Sequence, residues 1–305
     1  LVIGTICHEF SHALGQPDYY DTDYELNGQA FHPGEWDIMA SGNYNGNGMY
    51  PPLWHAMERN VRGYVDIEEA NVDNDYTLED LGVSGKALRL SYDNSLDWNL
   101  SKEYFILENR RTTGFDYYLP GNGMLIFKVD RNPEGWSSNC ANCNTSRLGF
   151  QLVTADNSHS EYYYSAAQAF PGTTNKRSFT DNTTPSSKSF DNYNLNKPLY
   201  RITENTTTGN ITFHVGDTTN FVDIYNTNIA YKSDTITATA SIKANNLSIV
   251  EKGVLYDLNN IPDSNSTKII DNVSSTATIS VNLIGLSANE TYFIRPYVKT
   301  ATNIS

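Results

Sequence analysis

"GTICHEFSHALGQPDYYDTD", residues 4–23, sets His8, Glu9 and His12 within five positions, then Gly15, then Asp18. On a helix the two histidines are one turn apart and offset by about 40° around the axis, so both imidazoles leave one face. That spacing suits a single Zn2+ ion, for which neutral imidazoles are good ligands. Glu9 is rotated by about 100° from His8. It stands close to such a metal but is badly placed to hold it, which fits a base acting on water. Gly15 permits a sharp reversal, after which Asp18 returns toward the histidines as a third ligand and a fourth position stays open. The His-Glu-x-x-His pattern also arises by chance on solvent-facing helices, so the residues after it carry the weight.

Around this stretch, Val2, Ile3, Ile6, Phe10, Ala13 and Leu14 fall at helical spacing and predict a buried stripe ending near residue 14. Gly15 stops the helix and Pro17 blocks a restart. Cys7, beside His8, reads as a small buried hydrophobe. Residues 17–51 look like loop, with Gly42, Gly46 and Gly48, and Pro51 and Pro52 introduce a second helix from Leu53 to about Val61. With no initiator methionine and a start already inside a helix, the chain reads as a fragment lacking the N-terminal part of its catalytic domain.

After residue 66 the period changes to that of strands: "ALRLSY", "EYFILEN", "GMLIFKVD", "GFQLV", "LYRIT" and "NITFHV", separated by Asn, Asp, Gly and Ser clusters. Residues 172–197 read as a long surface loop. "VGDTTN", 215–220, marks a boundary, because "FVDIYNTNI", "TITATASI", "IVEKGVLY", "TATISVNL" and "TYFIRPYVKT" begin a new strand series suited to a small sandwich. The expected organisation is α+β: a catalytic segment over 1–66, an all-β accessory domain over 67–217 and a β-sandwich over 218–305.

The 305 residues carry a formal charge of −14, which argues against nucleic-acid and anionic-membrane partners, since both need clustered Lys and Arg. No apolar run has the roughly 18 residues of a membrane span. Cys140 and Cys143 form a Cys-x-x-Cys pair without the second pair of a zinc ribbon, which leaves a local disulfide and two free thiols both open. His55 reads as a packing residue of the second helix, and His159 and His214 lie far from the motif.

"HEFSHALGQPD", 8–18, resembles the extended motif of metzincin-type zinc proteases. With "YYDTD" behind it and "EWDIMASGNY" at 35–44, it resembles the immune inhibitor A family of secreted bacterial metalloproteases. "EYFILENRRTTGFDYYLPGNGMLIFKVDRN", 103–132, is similar to the β-domain that follows the catalytic domain there. The resemblance implies a zincin-like fold with Met39 in a Met-turn, an apolar floor beneath the ligands. It also implies Zn2+ as cofactor, protein or peptide substrates, and a secreted or cell-surface location. "GLSANETYFIRPYVKT" resembles the end of a fibronectin type III domain, with Leu286 and Tyr292 at its tyrosine corner.

Some assignments stay open at this point. Asp18 adjoins Asp21, Asp23 and Glu25, a set suited to Ca2+ or to solvent, and His32 and Glu35 are the other candidates for third ligand. Tyr44, five residues past Met39, is the nearest candidate for stabilising the transition state, although the spacing is longer than in Tyr-bearing metzincins. The expected function is a zinc endopeptidase with Glu9 as general base. The alternatives are an adhesion or binding protein of β-modules carrying an inactive zinc helix, and a zinc hydrolase of another ester or amide. The oligomeric state is not legible.

Overall fold

"EYFILENR" and "GMLIFKVD" become two paired strands buried along nearly their whole length, with a packed layer on each side. The structure, a computed structural model, describes residues 2–24, 28–92, 102–131, 134–159, 163–216, 221–232, 235–245, 247–258, 260–287 and 289–301. Glu25 and Asp217 therefore lie outside the described residues. Two compact units are present, 1–217 and 218–305.

The first unit is built on a five-stranded sheet, with strands numbered in chain order. Its order is β1 (Ile67–Glu69), β3 (Ala87–Ser91), β4 (Glu103–Arg110), β5 (Gly123–Asp130) and β6 (Phe150–Val153). Strand β1 runs parallel to β3 and the other pairs are antiparallel. Side chains alternate between its faces. Ile106, Leu125, Phe127, Phe150 and Leu152 share one core with Tyr19, Trp36, Met39, Ala56 and Met57. Phe105, Leu107, Met124 and Ile126 join a second core with Leu78, Leu199 and Phe213. That second core is closed by a three-stranded sheet of β2 (Asn74–Leu78), β8 (Ile211–Val215) and β7 (Leu199–Glu204). The change of residue pattern at 66 thus falls inside a shared core, and each large side chain buried there contributes about 1.5–3 kcal/mol relative to exposure.

Three expectations need correction. The apolar stripe of helix α1 (Ile3–Ala13) is not buried: Ile3, Ile6, Phe10 and Leu14 are exposed, Phe10 at 61%. The face turned inward carries Gly4, His8 and Ser11, and a side chain at Gly4 would collide with the Asn43 carbonyl, so only glycine allows the helix this close. The second helix, α2, is Ala56–Val61; residues 53–55 precede it, and His55 is its N-cap. Residues 172–197 contain no named strand, yet Phe179, Ser187 and Leu195 are fully buried, so this segment helps to close the second core.

The second unit has two three-stranded sheets. One has the order β13 (Thr278–Leu283), β10 (Thr235–Asn245), β9 (Phe221–Lys232); the other has β12 (Thr267–Ile270), β11 (Ile249–Asp257), β14 (Phe293–Thr300). Ala238, Ala240, Val254, Ile279, Val281 and Val298 share one core between them. The Tyr292 hydroxyl accepts the Ser287 N–H at 3.0 Å. No helix among the described residues is long and apolar enough to cross a membrane.

Candidate metal centre

The chain reversal after α1 sets the geometry. Gly15, at φ +86°, lies in the left-handed region that glycine occupies freely. Its N–H bonds the His12 carbonyl at 2.8 Å and the Gln16 N–H bonds the Ser11 carbonyl at 3.0 Å, the paired closure of a Schellman motif. The reversal also turns the Gln16 carbonyl onto the His12 ring, 2.8 Å from Nδ1. His8 Nδ1 lies 2.8 Å from the Ile38 carbonyl. A carbonyl only accepts, so each Nδ1 carries the proton and donates, and each Nε2 is left as a lone pair.

Both lone pairs face one oxygen. His8 Nε2 and His12 Nε2 each lie 3.2 Å from Asp18 Oδ1, and the three ligand atoms lie within 4.8 Å of one another. Asp18 is buried and its Oδ1 has no hydrogen-bond donor. Two imine lone pairs and a carboxylate oxygen converging without a donor repel one another unless a cation stands between them. Edges of about 3.2 Å also agree with a tetrahedral ion that holds N and O ligands at about 2.0–2.2 Å. The residues present therefore fit Zn2+. The same field raises His8 above its ordinary pKa, first through the Asp18 contact and against burial. Burial pushes Asp18 upward, but His8 and Asn139 outweigh it and hold the carboxyl below its usual range.

His32 and Glu35 do not join this group among the described residues. His32 Nδ1 accepts the Gly34 N–H at 3.1 Å, and Glu35 is exposed. Asp21 is buried and its two oxygens each accept a backbone N–H, from Asp23 and Ala30.

Glu9 lies on the wall of a cleft of about 400 Å³ that also includes His8, Tyr20, His32, Asn43 and Tyr44. Tyr44 is exposed on that wall, and the Tyr20 hydroxyl is pushed up to about 12, by burial first and then by Asp18. Residues 37–40 turn tightly: Asp37 Oδ1 accepts the Met39 N–H at 2.6 Å, and Met39, wholly buried, gives its carbonyl to the Tyr19 N–H at 2.9 Å. The turn thus joins the His8 partner Ile38 to the segment carrying Asp18.

Three features here were not legible in the motif. Tyr20 and Asn139 bear on Asp18, and His55 is more than a packing residue. His55 stacks on Phe150 with ring centroids 4.3 Å apart, while its Nε2 lies 3.1 Å from Asp37 Oδ2 and 3.6 Å from Glu58 Oε2, all three residues being buried. Asp37 thereby braces the turn against α2. Burial drives Glu58 up to about 8. For His55 burial acts downward, but Glu58 and Asp37 outweigh it and the net shift is upward.

Both groups have folded pKa values above their ordinary ones, so their contribution to stability is complete at low pH and is lost as pH rises through the folded values. For Glu58 that window runs from 4.5 to about 8. Calorimetry is expected to show the melting temperature of the first unit falling toward the alkaline end of this window, and Glu58→Gln should flatten that slope. An unchanged slope in the variant would contradict the assignment.

Residues 2–57 match the family model of the immune inhibitor A peptidase M6 catalytic domain. The matched segment contains α1, Asp18, the 37–40 turn and the start of α2, so the candidate ligand group and its brace lie inside the part that is similar to a peptidase. Peptidases of this kind are typically metal-dependent, and His8, His12 and Asp18 form a group that could hold an ion. Among curated proteins none matches the chain.

Proposed function

We propose that the chain carries the active site of a secreted zinc-dependent endopeptidase. His8, His12 and Asp18 hold the metal, Glu9 is the general base, and proteins or peptides are the substrates. One observation carries the reading: two oriented Nε2 lone pairs converge on a buried carboxylate oxygen that has no donor. Zn2+, when bound, supplies the charge that acidifies water and polarises a peptide carbonyl.

The remaining steps belong to the chain. Glu9, on the cleft wall one position from His8, accepts a proton from the attacking water and returns it to the leaving amine nitrogen. Asp21, also on that wall, has each carboxylate oxygen turned to a backbone N–H. Met39 fills the apolar floor, and Tyr44 offers a hydroxyl to the developing oxyanion from the same cleft. The Cys140–Cys143 disulfide suits an oxidising, extracellular compartment. For the terminal unit we infer a fibronectin type III-like module, supported by the strand pairing of its sheets and by the Tyr292 hydroxyl bond.

Hydrolysis of an unfolded protein such as casein tests the function. Cleavage should disappear when a strong zinc chelator is added and return when Zn2+ is restored. Cleavage that survives complete removal of metal would overturn the proposal.

A further inference from the structure

Asn139 stands 121 residues from Asp18, yet the two share a pair of hydrogen bonds. The Asn139 Oδ1 accepts the Asp18 N–H at 2.7 Å, and the Asn139 amide donates to Asp18 Oδ2 at 2.7 Å. The second bond matters for chemistry. A carboxylate turns easily about its last torsion, and tying Oδ2 leaves Oδ1 as the atom aimed at His8 and His12. The Asn139 backbone is also held, since its carbonyl accepts the Thr22 hydroxyl at 2.6 Å.

The loop that carries Asn139 is closed on itself and anchored to the first unit's main sheet. The Cys140–Cys143 disulfide closes it, and the Cys140 N–H bonds the Gly135 carbonyl at 2.7 Å. Trp136 Nε1 donates to the Asp130 carbonyl of β5 at 2.7 Å. Inside the loop, Asn142 donates to the Tyr19 carbonyl at 2.8 Å and to the Phe150 carbonyl of β6 at 2.7 Å. One short disulfide-closed loop thus grips both residues of the Asp18–Tyr19 segment and ties them to the strands behind.

We propose that this loop is the outer shell of the metal centre. Asn139 is a positioning residue that presents Asp18 Oδ1 to the metal, and the Cys140–Cys143 disulfide keeps Asn139 in place. The proposal rests on the reading of Asp18 as a ligand. Outer-shell partners of this kind change metal affinity by about 10–100-fold when removed.

The test uses the full chain and Zn2+ itself, with affinity read by competition against a chromophoric chelator. Asn139 sits at φ +57°, where alanine would strain the backbone, so Asn139→Gly is the clean deletion of its side chain. Asn139→Asp keeps the shape but faces Asp18 with a second carboxylate. Both variants are expected to bind Zn2+ about 10–100-fold more weakly and to alter the visible spectrum of the Co2+-loaded protein. In an Asp18→Ala background Asn139→Gly should have no further effect on affinity, because the residue it positions is gone. The Cys140→Ser/Cys143→Ser double variant should weaken Zn2+ retention in the same direction, and adding Asn139→Gly to it should cost less than in the parent.

Unchanged Zn2+ affinity in Asn139→Gly, with only a lower melting temperature of the metal-free protein, would overturn the proposal and leave Asn139 a structural residue. Equal effects of Asn139→Gly with and without Asp18 would overturn it too. If Asp18→Ala itself retains Zn2+ normally, the ligand assignment fails, and that outcome is separate from any behaviour of Asn139.

Discussion

Glu9→Gln is expected to keep one zinc per chain and to lower turnover on the order of a hundred- to ten-thousand-fold, the range for removal of a general acid–base group. Glu9 follows His8 directly on α1 and is exposed on the cleft wall, whereas the converging candidate ligand atoms belong to His8, His12 and Asp18. Glutamine keeps the size and polarity but neither accepts a full proton nor returns it. Zinc content by elemental analysis, alongside kcat on a peptide substrate, separates the roles. Joint loss of zinc and activity would show that Glu9 holds the metal or the fold.

Asp18→Ala is expected to weaken zinc retention about as strongly as His12→Ala, since each removes one of three protein ligands. The loss should exceed the roughly 10–100-fold typical of an outer-shell residue such as Asn139. Glu35→Ala and His32→Ala should leave retention near that of the parent chain, because neither side chain reaches the group of three. Apo stability is a poor substitute for this measurement. Removing Asp18 relieves the crowding of Oδ1 against two imidazole lone pairs, yet it also strips the Asn139 amide of its acceptor, so the two effects oppose each other. Retention in a chelator titration is the quantity to read, and normal retention in Asp18→Ala would return the third ligand to His32, Glu35 or water.

Much of this site was legible because its information is local. His8, His12, Gly15 and Asp18 lie within eleven residues, and one helical turn followed by a left-handed glycine is enough to bring them together. Even the ring orientation of His12 follows from that turn, through the Gln16 carbonyl. The strands from "ALRLSY" to "NITFHV" were legible for the same reason, since burial on the faces of a sheet imposes a short apolar period.

What depends on distant partners was not legible. The periodicity of α1 identifies an apolar stripe but not what covers it; Ile6 and Phe10 are exposed, while Gly4, His8 and Ser11 lie on the inward face. His55 at the start of a helix reads as packing until Asp37 and Glu58 are seen buried beside it. Asn139 carries no signal at all, because an asparagine before a cysteine is ordinary loop composition. Its meaning comes from Asp18, brought 121 residues back to it by the fold. Strands β1, β2 and β12 were missed because their burial is slight and their residues alternate weakly.

The central claim is a zinc ion held by three named side chains, and anomalous scattering at the zinc edge from crystals of the zinc-loaded protein tests it most directly. The account predicts one dominant peak in the first unit, about 2.0–2.2 Å from His8 Nε2, His12 Nε2 and Asp18 Oδ1, with Glu9 near it but outside ligand distance. A peak elsewhere, or one at this site lying beyond about 3 Å from Asp18, would contradict it.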